Sequence, residues 1–167
     1  MKTTAYKNLE EVLEDEIKVY RVLLDLVRRE KEVLVSAQIP QLEENNRAKE
    51  VLVLKIRGLE RQREKAAREM ATEVGTNTEN PRLLEIAAKL LDPEASRLRS
   101  IHTTLDLLVR RVKDLNDGNE ALIHASLKAV NGALGAIKDT LQPRTTYAPS
   151  GEVKNSTVAG HFVSKEV

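Results

Sequence analysis

The chain has 167 residues, of which 32% are charged and 2% are aromatic, and its formal net charge is +1. No apolar run approaches the roughly 18 residues that a membrane-spanning helix needs, so we expect one soluble, cytoplasmic domain without a signal peptide. Because the sequence has no Cys, disulfides, thiol catalysis and thiolate metal sites are excluded.

Positive and negative charges are balanced along the chain, with 15 basic and 15 acidic residues in positions 1–75. A protein that binds nucleic acid through its charge concentrates basic residues on one face or tail, and base stacking needs aromatic rings. We therefore expect no nucleic-acid partner. The mixture of Leu, Ile, Val and Ala with Glu, Lys and Arg is typical of long helices packed as a bundle or coiled coil.

The first predicted helix runs from Asn8 to about Ala37. Asn8 is suited to cap it, and Glu11, three residues later, would complete a capping box. Glu30 lies at an inward position, where we expect its long stem to carry the carboxylate outward to water. Apolar residues recur at multiples of three and four, which indicates a helix with one buried face: Leu9, Leu13, Tyr20, Leu23, Val27 and Leu34.

The second predicted helix runs from Pro40 to about Val74. Proline suits the first turn of a helix because that position has no intrahelical use for an N–H, and Gly75 can supply a left-handed stop. On its surface Glu60 and Glu64 alternate with basic residues at spacings that would pair them with Arg63 and Arg68. We interpret this as a salt-bridged solvent face and not as a phosphate-binding patch.

Two Pro residues that follow a capping side chain predict the start of two more helices. Asn80-Pro81 begins a short helix over 81–91, and Asp92-Pro93 begins the last helix. Asn116-Asp117-Gly118 alone would indicate a turn, but apolar spacings of three and four continue on both sides of it. We therefore predict one helix to about Leu141, with a turn at 116–118 as the alternative.

Helical periodicity stops after Leu141, and residues 142–167 are predicted to form a mobile tail. The sequence therefore predicts an all-α fold: an elongated antiparallel helical bundle or coiled coil of three long helices and one short helix. This helical bundle would occupy residues 1–141, followed by a flexible C-terminal tail. His102, His124 and His161 do not stand at a helical metal-ligand spacing, so we expect no metal, no other cofactor and no catalytic site.

Asn119 occupies a core position of the last helix, where a buried amide lowers stability and fixes register. A leucine at this position is accordingly expected to be more stable. A contact between the amide and a binding partner is the alternative interpretation.

The last helix carries two apolar stripes beyond Leu122, and together they cover almost half of its circumference. One neighbouring helix buries roughly 100°, so either the short helix covers the excess or the surface receives an amphipathic helix from a partner. The narrower stripe consists of Ser126, Ala129, Ala133 and Ala136. The wider one consists of Ile123, Leu127, Val130, Leu134, Ile137 and Leu141. It is called the α4 stripe below, because the helix from Pro93 to about Leu141 is the fourth predicted helix, α4.

Several segments together carry the pattern of a known family. In the first two helices they are Leu23-Leu24, Glu30, Leu34, Gln38-Ile39-Pro40-Gln41-Leu42, Lys49 and Leu59-Glu60-Arg61-Gln62-Arg63. Farther along they are Asn116-Asp117-Gly118-Asn119-Glu120-Ala121-Leu122-Ile123, Ser126-Leu127, and Thr146-Tyr147-Ala148-Pro149-Ser150-Gly151. These segments resemble FlgN-type flagellar export chaperones. Pro40 is a departure, because an acidic residue is expected there in the family.

This resemblance implies a cytoplasmic chaperone for hook-associated proteins of the FlgK and FlgL type, which it would deliver to the type III export gate. Binding would use the C-terminal helix and the tail, so the candidate partner-binding residues are the α4 stripe and Tyr147. A homodimer that hides the stripe is compatible with the free protein. The alternative from another class is a structural coiled-coil scaffold or regulator without an export client; an enzyme is a distant third, since no nucleophile and base are placed together.

Overall fold

The computed structural model describes residues 3–141, which form four helices and contain no strand. In chain order they are α1 (Thr4–Val35), α2 (Ile39–Val74), α3 (Leu83–Lys89) and α4 (Glu94–Leu141). The prediction of an all-α fold with three long helices and one short helix is confirmed. The predicted tail, 142–167, lies outside the described residues.

The start of α1 differs from the predicted capping box at Asn8. Thr3 is the N-cap, and its Oγ1 accepts a hydrogen bond from the backbone N–H of Tyr6 at 3.2 Å. Tyr6 is 1% exposed, and its hydroxyl donates to the backbone carbonyl of Glu94 at 3.3 Å. Because Tyr6 is held in the core, the helix extends past Asn8 toward the N-terminus.

The predicted place of Pro40 in the first turn of the second helix is confirmed. Ala37 takes a left-handed conformation with φ of 53°, and Pro40 lies in the first turn of α2. Gly75 ends α2 with φ of 73°, as predicted, and its N–H donates to the carbonyl of Ala71. Gly75 adopts this conformation without the steric cost that a Cβ brings.

The boundaries of α3 are narrower than predicted, and its start at Asn80-Pro81 was wrong. Asn77 Oδ1 accepts hydrogen bonds from the N–H groups of Glu79 and Asn80, at 2.9 and 3.2 Å, which keeps this stretch in a loop until Arg82. The predicted role of Asp92 is confirmed, because its carboxylate accepts from the N–H of Ser96 at 3.1 Å. The Ser96 hydroxyl also donates to this carboxylate, and the two hydrogen bonds from Ser96 lower the pKa of Asp92.

The α4 helix is continuous through 116–118, so the turn considered as an alternative is absent. By its contacts the described chain separates into two compact units, one ending at Ile123 and the other beginning at His124, inside this helix. None of the helices in residues 3–141 is long and apolar enough to cross a bilayer.

The apolar core lies in the first unit, where α1 and α4 run in the same direction and α2 runs opposite to both. Near the start of both helices Tyr6 contacts Glu94, and Arg97 Nε lies 3.2 Å from Glu10 Oε1. The main cluster combines residues from all four helices: Tyr6, Leu9, Leu13, Ile17, Leu24, Ala66, Ala67, Met70, Ala71, Ile86, Ala87, Leu98, Ile101, Leu105 and Leu108. A smaller cluster joins Val19, Leu23 and Val27 to Ile56 and Leu59.

One buried carboxylate links α1 to α2. Glu16 is 3% exposed, and its Oε1 accepts from Arg63 Nε at 3.0 Å. The sequence had suggested Glu60 as the partner of Arg63, and the structure corrects this. Burial raises the pKa of Glu16 in spite of the attraction to Arg63, so the loss of hydration exceeds what the ion pair returns.

We predict that Arg63→Ala lowers the free energy of unfolding by about 1–3 kcal/mol, because it leaves the Glu16 carboxylate buried without its ion-pair partner. Glu16→Gln should leave stability unchanged or raise it. Since a raised carboxyl pKa favours the protonated form in the folded state, the deficit of Arg63→Ala should shrink as the pH falls from 7 toward the ordinary pKa of 4.5. Urea unfolding of both variants across this range measures the effect, and a deficit that grows on acidification would contradict it.

Candidate functional site

The α4 stripe is exposed along its whole length. Its six side chains are between 37% and 79% exposed, and every residue from Ile123 to Leu141 is exposed. The short helix was one candidate to cover this surface, but it directs Ile86 and Ala87 into the core of the first unit. In the described chain the stripe is exposed, and an exposed apolar surface of this extent makes it a candidate interaction site.

The narrower stripe is also exposed. Ser126, Ala129, Ala133 and Ala136 lie beside the α4 stripe on the same helix, and none of them is covered within the described chain. At about 100° per residue, the two stripes together span close to half of the helix circumference. The surface is thus wider than the contact of a single packed helix.

Residues 124–141 of α4 are helical, and each of them is exposed. An isolated helix of this length is marginal in water because forming the first turn is unfavourable, whereas extending an existing helix is not. Residues 94–123 supply that existing helix. Gly132 and Gly135 each cost roughly 1 kcal/mol relative to Ala, and a Cβ at either position would meet nothing within 4 Å. These two glycines therefore lower the intrinsic helix stability of the segment without being required by a close contact.

A buried polar cluster, called the polar anchor below, joins three helices near the end of the first unit. It consists of Glu30 of α1, Lys49 of α2 and Asn119 of α4. Asn119 Nδ2 donates to Glu30 Oε2 at 2.8 Å and to the backbone carbonyl of Val27 at 2.9 Å. Lys49 Nζ lies 2.9 and 2.8 Å from the two oxygens of Glu30.

The polar anchor corrects the sequence-based interpretation of Glu30. Its side chain does not extend to water: the residue is 4% exposed, and its carboxylate is held between Lys49 and Asn119. The inward position predicted for Asn119 is confirmed, since it is 2% exposed. Because the carboxylate needs a donor from α2 and one from α4, the anchor fixes the register and rotation of α4 against α1.

A second amide ties α1 to α2 close to the anchor. Asn45 is 4% exposed, and its Nδ2 donates to the backbone carbonyl of Leu26 at 3.1 Å. Neither Asn45 nor Lys49 was identified from the sequence as part of a buried cluster. The burial of Asn45 could not be predicted from the sequence, because a polar residue in a helix rich in polar residues is indistinguishable from its solvent-facing neighbours.

Other surfaces of the described residues give less indication of a binding site. A cavity of about 730 Å³ opens beside α2, and its lining mixes both signs of charge, with Arg57 and Arg61 near Glu60 and Glu64. Within residues 3–141 no group of three His, Asp or Glu side chains is placed to hold a metal ion. Tyr147, the seventh predicted partner-binding residue, lies outside the described residues. The α4 stripe is therefore the candidate functional site.

Comparison with known proteins gives one family. The model of the family described as FlgN protein matches residues 1–155, which is most of the chain. Comparison with curated proteins and with solved structures gives no significant match.

The heptad position of Asn119 led us to expect that a leucine there would raise stability, and its hydrogen bonds reverse this expectation. We predict that Asn119→Leu lowers the free energy of unfolding by about 1–3 kcal/mol, because Glu30 loses a donor while it stays buried. Asn131→Leu is the matched control, since Asn131 is an exposed Asn of the same helix and should have little effect on the folded core.

A double variant, Glu30→Leu with Asn119→Leu, should recover part of the loss, because the buried carboxylate goes together with its donor. Thermal and urea unfolding of the four proteins measure these differences. A single Asn119→Leu variant more stable than the wild type would mean that Asn119 only sets register.

Proposed function

The chain belongs to the FlgN family, whose general role is flagellar export chaperoning, and from this premise we propose that it is a cytoplasmic chaperone for hook-associated proteins of the FlgK and FlgL type. It holds an amphipathic helix of the client against the α4 stripe. It then delivers the client to the type III export gate. The observation that supports this role is the exposure of six large apolar side chains along one face of α4.

The size of the stripe is suited to reversible binding. Burying a Leu or Ile from full exposure contributes roughly 1.5–3 kcal/mol, so six side chains that are already partly covered contribute on the order of 5–10 kcal/mol. Association itself costs about 4–15 kcal/mol in lost motion and ordering. The client's apolar face is buried in the same contact and contributes a comparable amount, so the sum can exceed this cost by several kcal/mol. That corresponds to a moderate affinity, which suits an escort that must release its client at the export gate.

The physical task of the stripe is to replace water on the client's apolar face. A hook-associated protein that has not yet assembled exposes helices that later pack against neighbours, and a partner helix can cover them by the usual spacing of three and four residues. Self-association of two free copies through the same stripe would compete with the client. Tyr147 would add a contact from the tail.

We predict that Leu127→Gln with Leu134→Gln weakens binding of a purified hook-associated client by roughly 100-fold, since two apolar contacts at the centre of the stripe are lost. The fold should survive, because these side chains are 55% and 59% exposed. Leu107→Gln is the matched control: Leu107 lies in α4 outside the stripe and is 54% exposed. Melting temperature and calorimetric binding should be measured on the same preparations.

Either of two outcomes would contradict this placement of the site. One is a double variant that binds the client normally, which would favour the scaffold interpretation if no other variant affects binding. The other is a double variant that melts far below the wild type, which would mean that the stripe is core.

Removal of residues 142–167 tests the tail separately. We predict a nearly unchanged melting temperature, because the core lies within the first unit. Client binding should weaken if Tyr147 contributes, and Tyr147→Ala in the full chain should then reproduce part of the loss. An unchanged affinity in both proteins would remove Tyr147 from the site.

A further inference from the structure

The two borders of the α4 stripe differ in chemistry. If the stripe residues are assigned to heptad positions a and d, positions g carry Ser126, Ala133 and Thr140, which are small. Positions e, on the other border, carry His124, Asn131 and Lys138. In paired helices, side chains at e and g meet the corresponding border of the partner and set its identity.

Positive charge is concentrated on the e border. Lys138 occupies an e position, and Lys128 lies farther round the helix on the same side. Neither forms an ion pair with another residue of the described chain, and both are exposed. The one acidic residue of positions 124–141, Asp139, lies on the side of the helix away from the stripe. A partner helix therefore meets uncompensated positive charge along one edge and small neutral side chains along the other.

We propose that the α4 stripe selects an amphipathic helix whose apolar face is bordered by acidic side chains. This rests on the proposed function and specifies the client segment that the site takes. Carboxylates on the partner pair with Lys138 and Lys128 at the edge of the apolar contact, where they steer association and exclude partners of the wrong charge. On the opposite edge, Ser126 and Ala133 leave room for the partner backbone to approach.

A second copy of this chain is a poorer occupant than such a helix. Its stripe has the same borders, so Lys138 would face small neutral side chains in a parallel pair and the uncharged or basic e positions in an antiparallel pair. In both arrangements, residues 124–141 of a second copy lack a carboxylate beside the apolar contact. The acidic partner therefore displaces self-association.

Two synthetic helical peptides of equal length test the proposal with the full chain. They share leucines at a and d and differ only at the border positions, which are Glu in one peptide and Lys in the other. We expect the wild type to bind the Glu peptide about tenfold more tightly, with a preference that decreases as salt is raised. Lys128→Glu with Lys138→Glu should reverse the preference.

The control variant separates local charge from net charge. Arg111→Glu with Lys113→Glu makes the same change in net charge at exposed positions of α4 outside the stripe, and it should keep the preference of the wild type. Equal binding of the two peptides by the wild type would overturn the proposal. A control variant that reverses the preference as fully as the site variant would also overturn it.

The failure of this proposal is distinguishable from failure of the proposed function. If a hook-associated client binds and the Leu127→Gln with Leu134→Gln variant loses it, but the wild type binds neither peptide or prefers the Lys peptide, the function stands and the acidic preference is wrong. If self-association through the stripe is tighter than binding of the Glu peptide, the second copy is the occupant and the proposal is wrong. If neither client nor peptide binds, both are wrong.

Discussion

The Glu30 carboxylate is the constraint on which the arrangement of the long helices depends. It is buried at a point where α1, α2 and α4 meet, and its ion-pair and hydrogen-bond partners come from two different helices. A shift of either helix by one residue would leave the buried carboxylate without one of its two partners, which is more costly than a displaced apolar contact. Apolar packing alone tolerates neighbouring registers, because Leu, Ile and Val can exchange neighbours with little change in buried area.

The course of the helices could be predicted from the sequence because it is recorded locally. Pro40, Gly75 and Asp92 act within one turn of their own position, and the uninterrupted spacing across 116–118 is a property of one helix. The start of α1 was wrong because Thr3 has only a weak local signal, whereas its position is set by a contact between Tyr6 and Glu94 that is remote in sequence. The pairings of Glu30 with Lys49 and of Glu16 with Arg63 were missed for the same reason.

The spacing of the apolar residues in the candidate site could be predicted from the sequence, but their exposure could not. Spacings of four and three identify the α4 stripe, yet an identical spacing describes Leu98, Ile101, Leu105 and Leu108, which are buried. The difference arises from which helices lie beside each stretch, and this depends on tertiary packing. Tyr147 was proposed on the resemblance alone, and its place in the site continues to rest on that resemblance.

The confinement of the core and the polar anchor to the first unit has an evolutionary consequence. Residues 124–141 have no part in the buried clusters, so their side chains are free to change with little penalty in stability as long as the helix continues. Under the proposed function, selection on folding and selection on client recognition act on separate stretches of one continuous helix. A lineage could then acquire a new client by altering only the later stretch, and a recombinant chaperone could be built by exchanging that stretch between homologues.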